Sequence, residues 1–184
     1  MRDRKHVCPW WFCYAFDNPL RKLFHRPDRM FAAMIRPGMT VADIGCGMGY
    51  FTIGLAHLVG STGRVLAVDL QPEMLARVAR RARKAGVSSV VEPRLCQSAS
   101  LDIDEAVDFV LAFWMVHETP DPQVFFKQVR EILKIGGRML VTEPKFHVSD
   151  AAFQQELEMA ESAMLAVKGR PDSALSKAAL LEAV

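Results

Sequence analysis

The chain has 184 residues, 51% of them hydrophobic, with a formal net charge of +2 at pH 7. That length predicts one domain with a real buried core. The near-neutral balance argues against a nucleic-acid partner, which asks for a strongly basic face, and no apolar run approaches the roughly 18 residues of a membrane-spanning helix.

Residues 1–36 read as an N-terminal aromatic helical arm. Arg2, Arg4 and Lys5 precede an apolar run from Val7 to Phe16, a pattern that imitates a signal peptide. Pro9, two tryptophans and the lack of a small-residue cleavage site assign the run to the mature protein. Asn18-Pro19 is a helix start, with Asn18 as cap and Pro19 at the first helical position. Asp28 to Ile35 is a second short helix. The aromatics of the arm, Trp10, Trp11 and Tyr14 foremost, either fill a groove between helices or form a lid over a substrate pocket. An interfacial membrane patch is a third reading. Cys8, Cys13, Cys46 and Cys96 show no metal-type pairing, and the C-x4-C of the first two is weak for zinc. No metal site is expected, and reduced thiols suit a cytoplasmic protein.

Residues 37–184 alternate strand and helix, the mark of a parallel sheet covered on both faces. Strands are predicted at Thr40 to Ile44, Arg64 to Asp69, Val90 to Leu95, Asp108 to Phe113 and Arg138 to Thr142. Pro93 marks the third of these as an edge strand. Helices are predicted at Tyr50 to Val59, Pro72 to Ala85, Pro122 to Leu133 and Ala151 to Ser162. Gly86 ends the second, Lys134 to Gly137 form a turn after the third, and Ser149-Asp150 cap the fourth. The arginines of Pro72 to Ala85 read as a solvated face. Met164 to Val167 and Ala174 to Lys177 are expected to pair as antiparallel strands, although the alanine and leucine content also permits a helix.

The first strand runs into Asp43-Ile44-Gly45-Cys46-Gly47-Met48-Gly49-Tyr50. A dinucleotide loop wants G-x-G-x-x-G, with a small residue third. Here Tyr50 stands at that place, so the dinucleotide pattern fits poorly. Asp43 before the loop suits a ligand with a cation nearby, an amino group or a sulfonium. The second strand also ends in an acid, Asp69, where nucleotide-binding α/β folds meet ribose hydroxyls; the alternative role for Asp69 is to cap the helix from Pro72. With D-x-G-x-G-x-G, the chain resembles the class I S-adenosylmethionine-dependent methyltransferases, in particular those of the small-molecule type.

The resemblance implies a Rossmann-like doubly wound α/β sheet, mostly parallel and closed by an antiparallel C-terminal strand. It implies S-adenosylmethionine as cofactor, with the glycines Gly45, Gly47 and Gly49 and Asp43 at its amino-acid end. Asp69 and Leu70 would meet the ribose, Gln97 and Ser98 the adenine, and Phe113 the methionine end. The family's usual Asp is absent at Gln97, and Ile135 replaces the proline of its Lys-Pro-Gly-Gly turn. Met115-Val116-His117-Glu118 resembles a stretch found in small-molecule enzymes of this type. The Asn/Asp-Pro-Pro-aromatic tetrad of enzymes acting on base amines is absent.

Methyl transfer to a hydroxyl, phenol or protonated amine needs a base. His117 and Glu118 are the first candidates, followed by Glu143 and His147; each also has a structural reading, as a cap, an ion-pair member or a surface residue. The expected partner is a small apolar or aromatic molecule, and the chain itself a monomer or homodimer. The alternatives are an NAD-dependent oxidoreductase and a non-catalytic S-adenosylmethionine-binding partner protein. A thiolate-assisted arsenic methyltransferase would need cysteines converging at the rim, and ranks below these.

Overall fold

Valine-rich runs buried on both faces set the architecture. A computed structural model describes residues 25–184. Trp10, Trp11, Tyr14, Cys8, Cys13 and the helix start at Asn18 lie outside these residues. The described elements are α1 (Pro27–Phe31), β1 (Thr40–Ile44), α2 (Tyr50–Val59), β2 (Arg64–Asp69), α3 (Pro72–Ala85), β3 (Val91–Leu95) and β4 (Val107–Phe113). A 3-10 turn (Val116–Glu118), α4 (Pro122–Ile132), β5 (Leu133–Pro144), α5 (Asp150–Ser162), β6 (Leu165–Gly169) and β7 (Ser176–Ala183) follow.

Among the described residues seven strands form one sheet, ordered β3-β2-β1-β4-β5-β7-β6. The first five are mutually parallel, and β7 pairs antiparallel with both β5 and β6. Strand order reverses between β1 and β4, so ligands are expected beyond their carboxyl ends. Alternate side chains serve opposite layers. Val41, Val65, Phe109 and Leu111 pack with Leu55, Val59 and Val78 on one face. Ala42, Leu66, Val110 and Val141 pack with Phe126, Val129 and Leu157 on the other. Truncating a fully buried ring such as Phe126 to Ala would cost about 3–5 kcal/mol.

The helix ends follow their sequence signals. Asp121 accepts from the N–H groups of Gln123 and Val124, and Ser149 from that of Ala152. Pro72 opens α3, and Gly86, in the left-handed region, closes it by donating to Ala82 and Arg83. Three expectations change. α1 stops at Phe31, with Met34 and Ile35 donating back to the Phe31 carbonyl in a turn; Pro37 disfavours helix at the residue before it. Lys134 to Gly137 do not end an element. They form a bulge within β5, whose pairing jumps from Val107–Leu133 to Phe109–Arg138. β7 extends to Ala183 because its residues pair along β5 from Pro144 back to Arg138, and that ladder outweighs the helical tendency of the tail.

Candidate active site

The turn after β1 is tied to β2 before any ligand arrives. The N–H groups of Gly45 and Cys46 both donate to the Val68 carbonyl, at 2.9 and 3.1 Å. The N–H of Gly47 donates to Asp69 Oδ2 at 2.9 Å, and that of Gln71 to Asp69 Oδ1 at 2.9 Å. Asp69 therefore holds the glycine loop and the approach to α3 together, but it does not cap α3, whose N-cap is Gln71 with no side-chain cap bond. Burial pushes the Asp69 carboxyl above its ordinary value, against the opposing pull of the N–H groups of Gln71, Gly47 and Leu70. Asp43 lies beneath the loop, 2% exposed, and accepts from Thr52 Oγ1 at 2.6 Å.

Two of the three glycines face the cavity. Gly47 has φ +52° with nothing within 4 Å of where a Cβ would stand, so bare backbone fronts the space above. A Cβ on Gly45 would sit 2.9 Å from Met115 Cβ, so the loop passes close beneath the chain leaving β4. Gly49 is not part of the cavity wall. Its missing side chain lets α2 approach α3, where a Cβ would stand 3.0 Å from Val78 Cγ2.

A cavity of about 640 Å³ lies over this loop and continues along the carboxyl ends of β4 and β5. Asp43, Gly45, Gly47, Asp69, Leu70, Gln97, Ser98 and Phe113 line it, as do His117, Glu118 and His147. The volume is in the range of ligand pockets, about 300–1,000 Å³. Gln97 and Ser98 stand on a tight loop closed by mutual backbone bonds between Gln97 and Ser100. Gln128 of α4 props that loop, accepting from the Leu101 N–H at 2.9 Å and donating to the Ala99 carbonyl at 3.0 Å.

At the far end, His117 and Glu143 form one unit. Glu143 is fully buried at the end of β5. Its Oε1 accepts from the N–H groups of Val116 and His117, at 2.9 and 3.3 Å, and its Oε2 pairs with His117 Nδ1. A carboxylate accepts only, so Nδ1 carries the proton and Nε2 is left for the cavity. Burial pulls the His117 pKa down, but the hydrogen bond and charge of Glu143, helped by Glu118 and Glu156, outweigh it and raise the net value. Glu143 itself does not line the cavity, so of the four candidate bases it serves as the support. His147 stacks edge-on beside His117, ring centroids 4.9 Å apart. Glu156 of α5 is 7% exposed with Oε2 unpartnered. Burial and the neighbouring Glu143 charge push it up to about 8, with His117 acting the other way.

The walls between the two ends are rings. Phe51 and Phe113 lie 4.4 Å apart, and Trp114 stands 5.3 Å from Phe113 and 5.7 Å from Phe146. His25, 3% exposed, wedges against Phe113 and Trp114 at 5.1 and 5.5 Å. Tyr50, the ring at the unsuitable dinucleotide position, donates its hydroxyl to the His25 carbonyl. Cys46 and Cys96 both line the cavity. Burial, with Asp43 and Asp69 nearby, pushes Cys46 up, and burial with Asp69 and Asp102 pushes Cys96 up to about 12. Sequence reasoning did not single out Trp114, Phe146, Gln128 or Glu156. Each acts through a contact far away in the chain, and only the position of Trp114 directly after a strand end was a signal.

Comparison with known proteins fits this geometry. The family model described as a methyltransferase domain matches residues 35–179. The chain is 33% identical over 132 residues to an arsenite methyltransferase of Halobacterium salinarum, covering 71% of this chain and 32% of that protein. It is 30% identical over 112 residues to a demethylmenaquinone methyltransferase of Staphylococcus aureus, covering 59% of this chain and 44% of that one. The chain thus spans less than half the length of either curated relative. The crystal structure of a SAM dependent methyltransferase from Aquifex aeolicus superposes with a TM-score of 0.87 at 22% identity, covering 97% of this chain and all of that one.

Proposed function

The chain belongs to the S-adenosylmethionine-dependent methyltransferases, and from that premise we propose that it methylates a small apolar or aromatic molecule, with His117 as general base. The observation that carries the reading is the His117–Glu143 pair at one end of a cavity whose other end is the glycine loop. The family's cofactor is S-adenosylmethionine, which when bound supplies a methyl carbon on a sulfonium sulfur that leaves with the bonding pair as a neutral thioether.

The residues present suit that cofactor. Bare backbone at Gly47 leaves room a Cβ would fill, and the buried acids Asp43 and Asp69 favour a cationic amino acid over a phosphate. In this reading the loop with Asp43 receives the amino-acid end, Asp69 and Leu70 the ribose, and Gln97 and Ser98 the adenine. Phe113 flanks the methionine end. Gly49 acts indirectly, by letting α2 and α3 close up beneath the loop. His117 takes the acceptor's proton on Nε2, and the Glu143 carboxylate behind Nδ1 stabilises the imidazolium that forms. Glu118 and His147 shape the rim beside it. The ring-lined walls exclude water from the path of attack.

The test is calorimetry with S-adenosylmethionine, followed by a methyl-transfer screen of small apolar and aromatic molecules with labelled cofactor. Wild type should bind the cofactor, and His117→Ala should bind it equally while losing about 100-fold or more in kcat on the best acceptor. No cofactor binding, or full activity in His117→Ala, would overturn the proposal.

A further inference from the structure

Trp114 stands where the two halves of the cavity meet, directly after Phe113 and three residues before His117. We propose that Trp114 selects the acceptor, as a rigid flat wall against which a planar phenol-type compound lies with its hydroxyl at Nε2 of His117. This deepens the methyltransferase reading and rests on it.

The backbone of Trp114 has φ +59°, a region that bulky side chains rarely adopt. Such strain persists only where the surroundings over-determine the residue, and it concentrates at binding sites. Here the surroundings do so from every side. The Trp114 N–H donates to the Thr142 carbonyl on β5 at 2.8 Å. The indole Nε1–H donates to Ser176 Oγ on β7 at 2.8 Å. Ser176 Oγ in turn donates to the Ala174 carbonyl at 3.1 Å, and His25 Nε2 reaches the same carbonyl at 2.9 Å. The indole is thus anchored at its polar edge by bonds to β7 and the segment before it, with none to a glycine of the loop.

Ring geometry adds to this. His25 and Phe146 stand nearly perpendicular to the indole, at interplanar angles of 90° and 86°, and Phe113 is tilted against it at 36°. The wall cannot wrap a flexible chain, because its polar edge and its backbone are both fixed. A planar ring gains from such a surface through offset or edge contacts. The base sets the acceptor's chemistry. A phenol, with a pKa of about 10, gives its proton to an imidazole far more readily than an aliphatic alcohol does.

The experiment compares 1-naphthol with its saturated analogue decahydronaphthol as acceptors for the full chain, in wild type and in Trp114→Leu, Trp114→Phe and Ser176→Ala. Affinity for S-adenosylhomocysteine and the melting temperature are measured alongside. Wild type should prefer the naphthol. Trp114→Leu should cut that preference about tenfold, with cofactor affinity held within about twofold; Trp114→Phe should keep most of the preference. Ser176→Ala, which frees the indole without removing it, should raise KM for the naphthol while kcat holds, and so covers the case in which Trp114→Leu fails to fold. An unchanged preference in Trp114→Leu or an unchanged KM in Ser176→Ala, with cofactor binding intact, would overturn the assignment of Trp114 alone. So would a wild type that prefers the saturated alcohol. Failure of wild type to bind S-adenosylhomocysteine would overturn the methyltransferase reading, and this assignment with it.

Discussion

Replacing Glu143 by Gln separates the charge behind His117 from the shape that carries it. Glu143 is fully buried and accepts from three N–H groups, the backbones of Val116 and His117 and the ring Nδ1. The amide has nearly the same volume, and its one oxygen can keep both backbone bonds. Its NH2 then faces Nδ1 and donates, so the ring proton moves to Nε2 and the lone pair that would take the acceptor's proton is lost. General-base catalysis of this kind contributes about 10²–10⁴ in rate, and kcat should fall by that factor. Loss of the charge-assisted bonds should also cost about 1.5–3 kcal/mol of stability. The pH dependence gives a second signature. With Glu143 present the His117 pKa lies above its ordinary value, so kcat/KM should rise with pH through that raised value. The same raised pKa makes the pair's contribution to stability complete below the unfolded value of about 6.5, and lost as pH rises through the folded value. Both pH limbs should move to lower pH in Glu143→Gln. Steady-state rates and thermal melts from pH 5 to 9, with calorimetry to verify cofactor binding, measure each effect. A variant that binds cofactor and keeps wild-type kcat and pH profile would refute the assignment of His117 as a base supported by Glu143.

Two further outcomes are expected. Glu156 is held near pKa 8 against about 4.5 unfolded, so the folded state keeps a proton that the unfolded state releases, and wild-type stability should fall as pH rises across that window. Glu156→Gln should remove this fall, matching wild type at pH 4 and exceeding it at pH 8 by roughly 1–3 kcal/mol in urea titrations; parallel curves for the two proteins would contradict the burial argument. Asp69→Ala should weaken S-adenosylmethionine binding by roughly 10- to 150-fold, as for a hydrogen bond to a charged group. Because burial raises the Asp69 pKa, wild-type affinity should begin to fall at a higher pH than an ordinary carboxylate would give as the solution is acidified; calorimetry across pH 4–8 reads both, and a flat profile would disprove the role.

The parallel strands were legible because burial on both faces leaves continuous apolar runs, as in Val65 to Val68. The glycine loop was legible because its acid and glycines have one spacing, and Tyr50 ruled against a dinucleotide. What the sequence hid depends on distant partners. Lys134 to Gly137 look like a terminal turn, and only the pairing of Leu133 with Val107 turns them into a bulge. The alanine-rich tail is a strand because β5 offers it a ladder. His117 and Glu143 each stood out alone, but their union spans 26 residues of chain. Glu156 belongs to no motif, and its effect comes from the helix face on which it is buried. The left-handed backbone of Trp114 leaves no trace in its residue type.

The bond from the Gly47 N–H to Asp69 has a consequence for competitors. In a loop that binds phosphate, backbone N–H groups point at the anion and attract it. Here one such group is already engaged by a carboxylate, and a second buried acid, Asp43, lies beneath. An ATP or NADPH phosphate entering this end would lose a donor and meet negative charge. If this loop receives the cofactor's amino-acid end as proposed, that geometry would disfavour a nucleotide phosphate there. Discrimination against phosphate ligands would then reside in the loop's own bonds, without any bulky side chain to block them.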